Sequence, residues 1–211
     1  MSRAVRIGLP KGRLAGQAGD LLNRAGVRIE PANGSRKLTF ADSAGRFEFV
    51  SLKPVDIPVY VAVGALDAGI VGSDVLREAD ADVLEPLDLR IGLCRMVLAA
   101  PAGRTLSFDR HVRIATKYPR TAERYFWSKQ SHVEIVRLEG SVEIAPLLGL
   151  ADAVVDLVET GRTLRENGLV VLEEVEAVSA KLIVNRTAMK TRGAAINALI
   201  SDLDAVIYAN P

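Results

Sequence analysis

The segment Glu159-Thr160-Gly161-Arg162-Thr163 places two hydroxyls, a glycine and a guanidinium within five residues. It follows Ala153 to Val158, an apolar run broken only by Asp156, and precedes Leu164 to Asn167, which begins a helical pattern stopped at Gly168. In a strand, tight turn and helix N-terminus, free backbone N–H groups and hydroxyls can surround a phosphate, with glycine letting the backbone come close. A plain strand-to-helix connection capped by threonine has the same local pattern. The turn therefore needs partners elsewhere before it defines a site.

Partners are present. Ala4 to Leu9 reads as a strand, Pro10-Lys11-Gly12 as a turn, and Arg13 to Arg24 as a helix with Leu14, Ala18, Leu21, Leu22 and Ala25 on one face. This is not a P-loop, since no glycine lies five residues before a Gly-Lys-Ser/Thr. A third unit, Ala68 to Gly72 followed by Ser73-Asp74 and a helical Val75 to Ala79, reads as a degenerate copy of the Asp152 to Leu164 stretch, with a turn three residues shorter. The likeness suggests two lobes of similar plan with their turns facing a shared cleft. Lys117 and Tyr118 follow the strand Val112 to Thr116, where α/β loops bind ligands, and Tyr118 either stacks on a ligand or packs in the core. Glu143 lies three residues after Gly140 at a helix start, so a capping role competes with a ligand role.

Composition narrows the class. The 211 residues are 49% hydrophobic but only 5% aromatic, which calls for a core of Val, Leu, Ile and Ala. Lys and Arg number 27 against 26 acidic residues, a net +1 that gives no bulk attraction for nucleic acid. One cysteine, Cys94, with His111 and His132, provides neither an intrachain disulfide nor a metal cluster made of protein ligands alone. No secretory signal is read at the N-terminus, and no segment approaches the roughly 20 apolar residues of a membrane span. A cytoplasmic location with no membrane contact is expected.

The elements positioning these turns follow from periodicity. Lys37 to Phe40 and Phe47 to Leu52 are expected to pair as strands near the Asn33-Gly34-Ser35 turn, and Pro58 to begin a helix through Val63. Val83 to Leu87 and Arg90 to Ala100 read as strands, Gly103 to Arg110 as a lobe boundary, Arg120 to Ser128 as a helix, Val133 to Leu138 as a strand, and Val142 to Leu148 as a helix. The alternation implies parallel βαβ units. Leu169 to Asn185 is one long β-type run, and Thr187 to Asp202 a final helix. The expected organisation is one lobe of residues 1–100 plus 182–211 and an inserted lobe of residues 101–181, joined by a hinge with the ligand between them.

Six collinear motifs then become specific. PKGRL (Pro10 to Leu14), SRKL (Ser35 to Leu38), DIPVYVAVGALDAGIVGSDVL (Asp56 to Leu76), RIATKYP (Arg113 to Pro119), LEGSVEIAPLLGLADAVVDLVETGRTL (Leu138 to Leu164) and AKLIVN (Ala180 to Asn185) together resemble ATP phosphoribosyltransferase, the first enzyme of histidine biosynthesis. The resemblance implies two α/β lobes of the type II periplasmic-binding-protein plan. It also implies Mg²⁺-dependent joining of adenine N1 of ATP to C1 of phosphoribosyl pyrophosphate with loss of pyrophosphate. Longer family members carry a C-terminal regulatory domain, so a chain of this length resembles the short form. That form implies a histidyl-tRNA-synthetase-like regulatory subunit and a homodimer of catalytic subunits.

On that resemblance Glu159, Thr160, Gly161, Arg162 and Thr163 cradle the 5-phosphate, and Asp156 accepts from ribose hydroxyls or carries Mg²⁺. Lys11, Arg13 and Arg36 take pyrophosphate and triphosphate, with Arg13 and Arg36 acting on the leaving group through planar bidentate forks. Ser73, Asp74, Lys117, Tyr118 and Glu143 are expected at nucleotide or Mg²⁺. Two other classes compete: a binding module on the same two-lobe plan, and a salvage phosphoribosyltransferase acting on a free base. Against the latter, Val154-Val155-Asp156 offers one carboxylate where that loop usually carries two.

Overall fold

The computed structural model describes residues 3–29 and 38–209. They form two compact units, one of the described residues up to Gly92 together with those from Ser179 on, and one of residues 93–178.

Unit 1 is a six-stranded sheet in the order β2-β3-β1-β4-β11-β5. Its strands are β1 (Val5–Pro10), β2 (Thr39–Ala41), β3 (Phe47–Leu52), β4 (Ala68–Gly72), β5 (Leu84–Asp88) and β11 (Ala180–Val184). β3, β1 and β4 run parallel, whereas β2, β11 and β5 each run antiparallel to a neighbour. Strand alternation sorts side chains to two faces. Ile70 and Leu182 join Ile7, Phe49, Leu22, Leu199 and Leu203 under helices α1 (Arg13–Arg24) and α7 (Gly193–Tyr208). Val71 and Ile183, one residue on, join Ile57, Val61 and Leu76 of α2 (Ile57–Ala62) and α3 (Ser73–Ala79).

Unit 2 is a five-stranded sheet in the order β10-β6-β9-β7-β8. Its strands are β6 (Cys94–Pro101), β7 (Arg113–Thr116), β8 (Glu134–Arg137), β9 (Ala153–Val158) and β10 (Leu169–Val178). β9, β7 and β8 are parallel, and β6 and β10 close one side antiparallel. Ile114 and Val155 pack with Phe126 of α4 (Pro119–Ser128) on one face. Ala115 and Val154 pack with Val142, Ala145 and Leu164 on the other, the last belonging to α5 (Arg162–Glu166). Each sheet therefore has only three parallel strands, inner ones in unit 1 and the β8 side of the sheet in unit 2, where βαβ units alone predict parallel strands throughout.

Four further expectations change. The strand drawn from Arg90 begins at Cys94, because Arg90 and Gly92 hold positive φ of 52° and 62°, incompatible with a strand. The division at residues 100/101 and 181/182 moves to 92/93 and 178/179, since β6 hydrogen-bonds to β9 and β10. Gly103 to Arg110 accordingly lies inside unit 2. The helix Val142 to Leu148 is only a 3-10 turn, Val142–Ile144, followed by further turns, because Pro146 lacks the N–H that a helix would direct at the Val142 carbonyl.

The helix expected from Thr187 to Asp202 is two, α6 (Arg186–Thr191) and α7, broken at Arg192 with φ −131°. Asn185 caps α6, accepting from the Thr187 and Ala188 amides at 2.9 Å each. The Arg192 Nη1 meanwhile donates to Ala4 O and Asp67 Oδ2, both at 2.9 Å.

Candidate functional site

Register places the candidate turns. β1 and β4 are parallel with Gly8 opposite Gly69, so Lys11 to Arg13 and Ser73-Asp74 emerge at the same edge of the unit 1 sheet. In unit 2, Thr116 lies opposite Val155 on parallel strands, so Lys117, the first residue past β7, falls level with Asp156, which is still within β9. These are carboxyl ends of parallel strands, the edge at which open α/β sheets bind ligands.

The turn after β9 is open. Gly161 has φ 73°, a left-handed conformation natural to glycine, and Glu159, Thr160, Arg162 and Thr163 are exposed. No side chain caps α5; Thr160 Oγ1 accepts from the Arg162 amide at a long 3.4 Å. The Arg162 guanidinium pairs with Glu166 at 2.7 Å along the helix. The strand end beside this turn is electrostatically tense. Burial pushes the Asp156 carboxyl above its ordinary value; the Leu157 amide, donating at 2.8 Å, draws it back, the Glu143 carboxylate raises it further, and the Lys117 ammonium lowers it. The fold thus brings Asp156, Glu143 and Lys117 together from three separate segments. Ser141, two residues before Glu143, holds φ 48° and reverses the chain there.

Tyr118, whose ring was expected at a nucleotide or in the core, is 7% exposed and packs with Ala122 and Phe126. Packing is its observed role.

In unit 1, Lys11 and Arg13 are exposed, and the Lys11 amide donates to Leu52 O at 2.8 Å, which fixes the end of β1 against β3. Arg36 lies outside the described residues. Ser73 is 2% exposed and its polar groups are engaged: its N–H donates to Ser179 O at 2.9 Å, and its Oγ accepts from the Ser179 N–H at 3.3 Å. Asp74 is 7% exposed, and its carboxylate folds over Gly72 so closely that a Cβ there would lie 2.2 Å from Oδ1. Ser73 is therefore a tie to the returning chain, not an open ligand group.

Residue types alone did not flag two polar groups of unit 1, Asn185 at the amino-terminal end of β4 and Asp88 near its carboxyl end. Asn185 donates to Val61 O at 2.9 Å and Ala62 O at 3.2 Å, anchoring the end of α2. Its signal was local, an asparagine one residue before a helix. Asp88 accepts from Lys181 Nζ at 2.7 Å, Ser179 Oγ at 3.0 Å and the Arg90 amide at 2.9 Å. Burial alone would raise its carboxyl, but these donors hold it below the ordinary value. No local pattern could have announced that cluster. Among the described residues no group of three or more His, Cys, Asp or Glu forms a metal site.

Comparison with solved proteins first defines the class. The substrate-binding protein of an amino acid ABC transporter matches 98% of the chain at 13% identity with a TM-score of 0.59, and the Escherichia coli aliphatic sulphonate binding protein matches 98% at 15% identity with a TM-score of 0.62. At that identity only the fold is shared, a two-lobed α/β protein of the periplasmic-binding-protein kind.

The particular family is also shown. The HisG model, ATP phosphoribosyltransferase, matches residues 53–205. The ATP phosphoribosyltransferase of Oceanobacillus iheyensis is 49% identical over 96% of this chain and 98% of its own, and that of Caldanaerobacter subterraneus 48% identical over 96% and 97%. A chain of the ATP phosphoribosyl transferase (HisG:HisZ) complex from Thermotoga maritima superposes with a TM-score of 0.84 at 34% identity, covering 98% of this chain and 100% of its own. The chain belongs to the ATP phosphoribosyltransferase family, a family of glycosyltransferases.

Proposed function

We propose that this chain joins N1 of the adenine of ATP to C1 of phosphoribosyl pyrophosphate, releasing pyrophosphate in the first step of histidine biosynthesis, with residues Glu159 to Thr163 as the 5-phosphate cradle. The observation that carries the assignment of the cradle is the exposed turn with its left-handed glycine and uncapped helix, set beside the half-buried carboxylate of Asp156.

The chemistry needs little from a base, because adenine N1 already carries a lone pair. What must be stabilised is a departing pyrophosphate and a cation-like sugar carbon. Lys11, Arg13 and Arg36 serve the phosphates, and Asp156 accepts from the ribose hydroxyls. Burial and the Glu143 carboxylate together leave the Asp156 carboxyl above its ordinary value, although the Leu157 amide and the Lys117 ammonium both draw it down. Asp74 remains the nucleotide-side carboxylate, with Ser73 positioning it.

Asp156 and Glu143, two neighbouring carboxylates, fit Mg²⁺, which is commonly held by one or two carboxylates together with substrate phosphates and water. When bound, the ion neutralises charge on the pyrophosphate. Its protein-side holders are these two groups.

The HisG:HisZ likeness supports a separate regulatory subunit. A homodimer of catalytic subunits has apolar surface available, for example Val59 on α2, 56% exposed, and Val63 just after it, 72% exposed. The absence of a described helix long and apolar enough to cross a membrane accords with a cytoplasmic enzyme.

Incubation with ATP, phosphoribosyl pyrophosphate and Mg²⁺, with and without a regulatory subunit, should yield phosphoribosyl-ATP by its ultraviolet absorbance. Turnover only with a free purine or pyrimidine would sink the assignment. Arg13→Ala is expected to lower kcat on the order of a hundredfold if it acts on the leaving group. A pure rise in KM would assign it to uniform ground-state binding instead.

A further inference from the structure

A cavity of about 730 Å³ lies in unit 1 at the amino-terminal edge of its sheet, lined in part by Arg3, Arg46, Lys190 and Arg192 and by no Asp or Glu. It touches Val5, the first residue of β1, whereas Lys11 and Arg13 follow the last; the six residues of that strand separate the two places by about 17–20 Å. Two of the four cations are matched by carboxylates outside the cavity wall. Arg46 Nε meets Asp42 at 3.3 Å, and Arg192 Nη1 meets Asp67 at 2.9 Å while also donating to Arg3 O and Ala4 O, which holds its guanidinium in place. Arg3 and Lys190 have no ion pair among the described residues, so the cavity keeps two uncompensated positive charges, four cations less two carboxylates.

One wall, Gly193 to Ala195, is the first turn of the 16-residue α7, which has no acidic residue there and no side-chain cap. Its amide dipoles add to the same sign of potential. Two excess charges, a fixed arginine and an acid-free wall are complementary to a dianion with several acceptor oxygens. A carboxylate monoanion would leave one charge unmatched.

We propose that this cavity is a second anion site, separate from the catalytic turns, that takes a phosphate monoester or free phosphate. It stands independently of the cradle assigned to Glu159 to Thr163.

The test is titration calorimetry of the full chain with inorganic phosphate. The wild type should show a phosphate site that Thr163→Glu leaves intact and that Lys190→Glu weakens at least about tenfold, the scale of one lost charge-assisted hydrogen bond. Lys190→Arg should retain it. Lys190 is exposed, and if its charge reversal prevents folding, Lys190→Ala supplies the same reading with a smaller loss. Competition by AMP in the Thr163→Glu background separates the two sources: displacement marks a nucleotide phosphate, and no displacement marks the free ion. Phosphate binding that is absent, or that Thr163→Glu removes and the Lys190 variants do not change, overturns the proposal. Loss of activity in Thr163→Glu bears only on the cradle.

Discussion

The turns after β4 and β9 start from one plan, an apolar parallel strand running into a short helix, and end as opposites. After β4 the helix begins at once: Ser73 is 2% and Asp74 7% exposed, and the serine's polar groups bind Ser179 on the chain returning from unit 2. After β9 the loop is longer, Gly161 turns it through φ 73°, and both threonine side chains stay at the surface. Loop length decides the difference. With no residues to spare, the first turn's polar groups are drawn into the fold, where burial demands a partner for each. Three extra residues let the second turn present its hydroxyls and amides outward. On our proposal the open turn holds the phosphoribosyl group, and the closed turn is chiefly a structural joint that presents Asp74.

The largest effect should come from charging the open turn. Thr163→Glu sets a carboxylate against the proposed 5-phosphate and is expected to lower kcat/KM about a hundredfold, through like-charge repulsion of several kcal/mol. Its melting temperature should be unchanged or slightly higher, since an acid in the first turn of α5 suits the helix dipole. An equal loss of stability and activity would erase the contrast between the turns.

Ser73→Ala is the converse. It removes the acceptor for the Ser179 amide and should destabilise by about 1 kcal/mol, about 2–4 °C in melting temperature for a chain of this size. Any fall in activity should remain smaller than that of Thr163→Glu. A large kinetic defect in a fully stable Ser73→Ala protein would make the closed turn a ligand turn after all.

The smallest effect on stability is expected at Asp156. Its folded carboxyl lies above its ordinary value of 3.8, chiefly through burial, so the folded state binds this proton more tightly than the unfolded chain does. Ionised Asp156 therefore opposes folding at neutral pH. Asp156→Asn, which keeps an oxygen for the Leu157 amide, should raise the neutral-pH melting temperature by about a degree or two. In urea unfolding, that advantage should shrink as pH falls through the folded value and disappear well below 3.8. A destabilised Asn variant would mean that Lys117 outweighs burial.

Much of this contrast is legible in the sequence. α1 covers Arg13–Arg24, β3 Phe47–Leu52 and β4 Ala68–Gly72, each as its periodicity and turn residues indicate, because those signals act within a few residues of the element. The open turn was legible for the same reason. Tyr118 was not, because stacking on a ligand and packing on Phe126 require the same side chain, and only burial distinguishes them. Pro146 carried the information that breaks the Val142 to Leu148 helix, but apolar spacing outweighed it.

The sequence by itself determined the strand, turn and helix units, the residues able to meet phosphate, and, through collinear motifs, the family. Tertiary structure alone decided which of those residues are spent on the fold. Ser73 is tied to Ser179, 106 residues away, and Asp156 is tuned by Lys117 and Glu143 from other segments. Such pairings depend on sheet order and strand register, which bring distant segments together, whereas periodicity and turn chemistry report only what a residue and its near neighbours prefer.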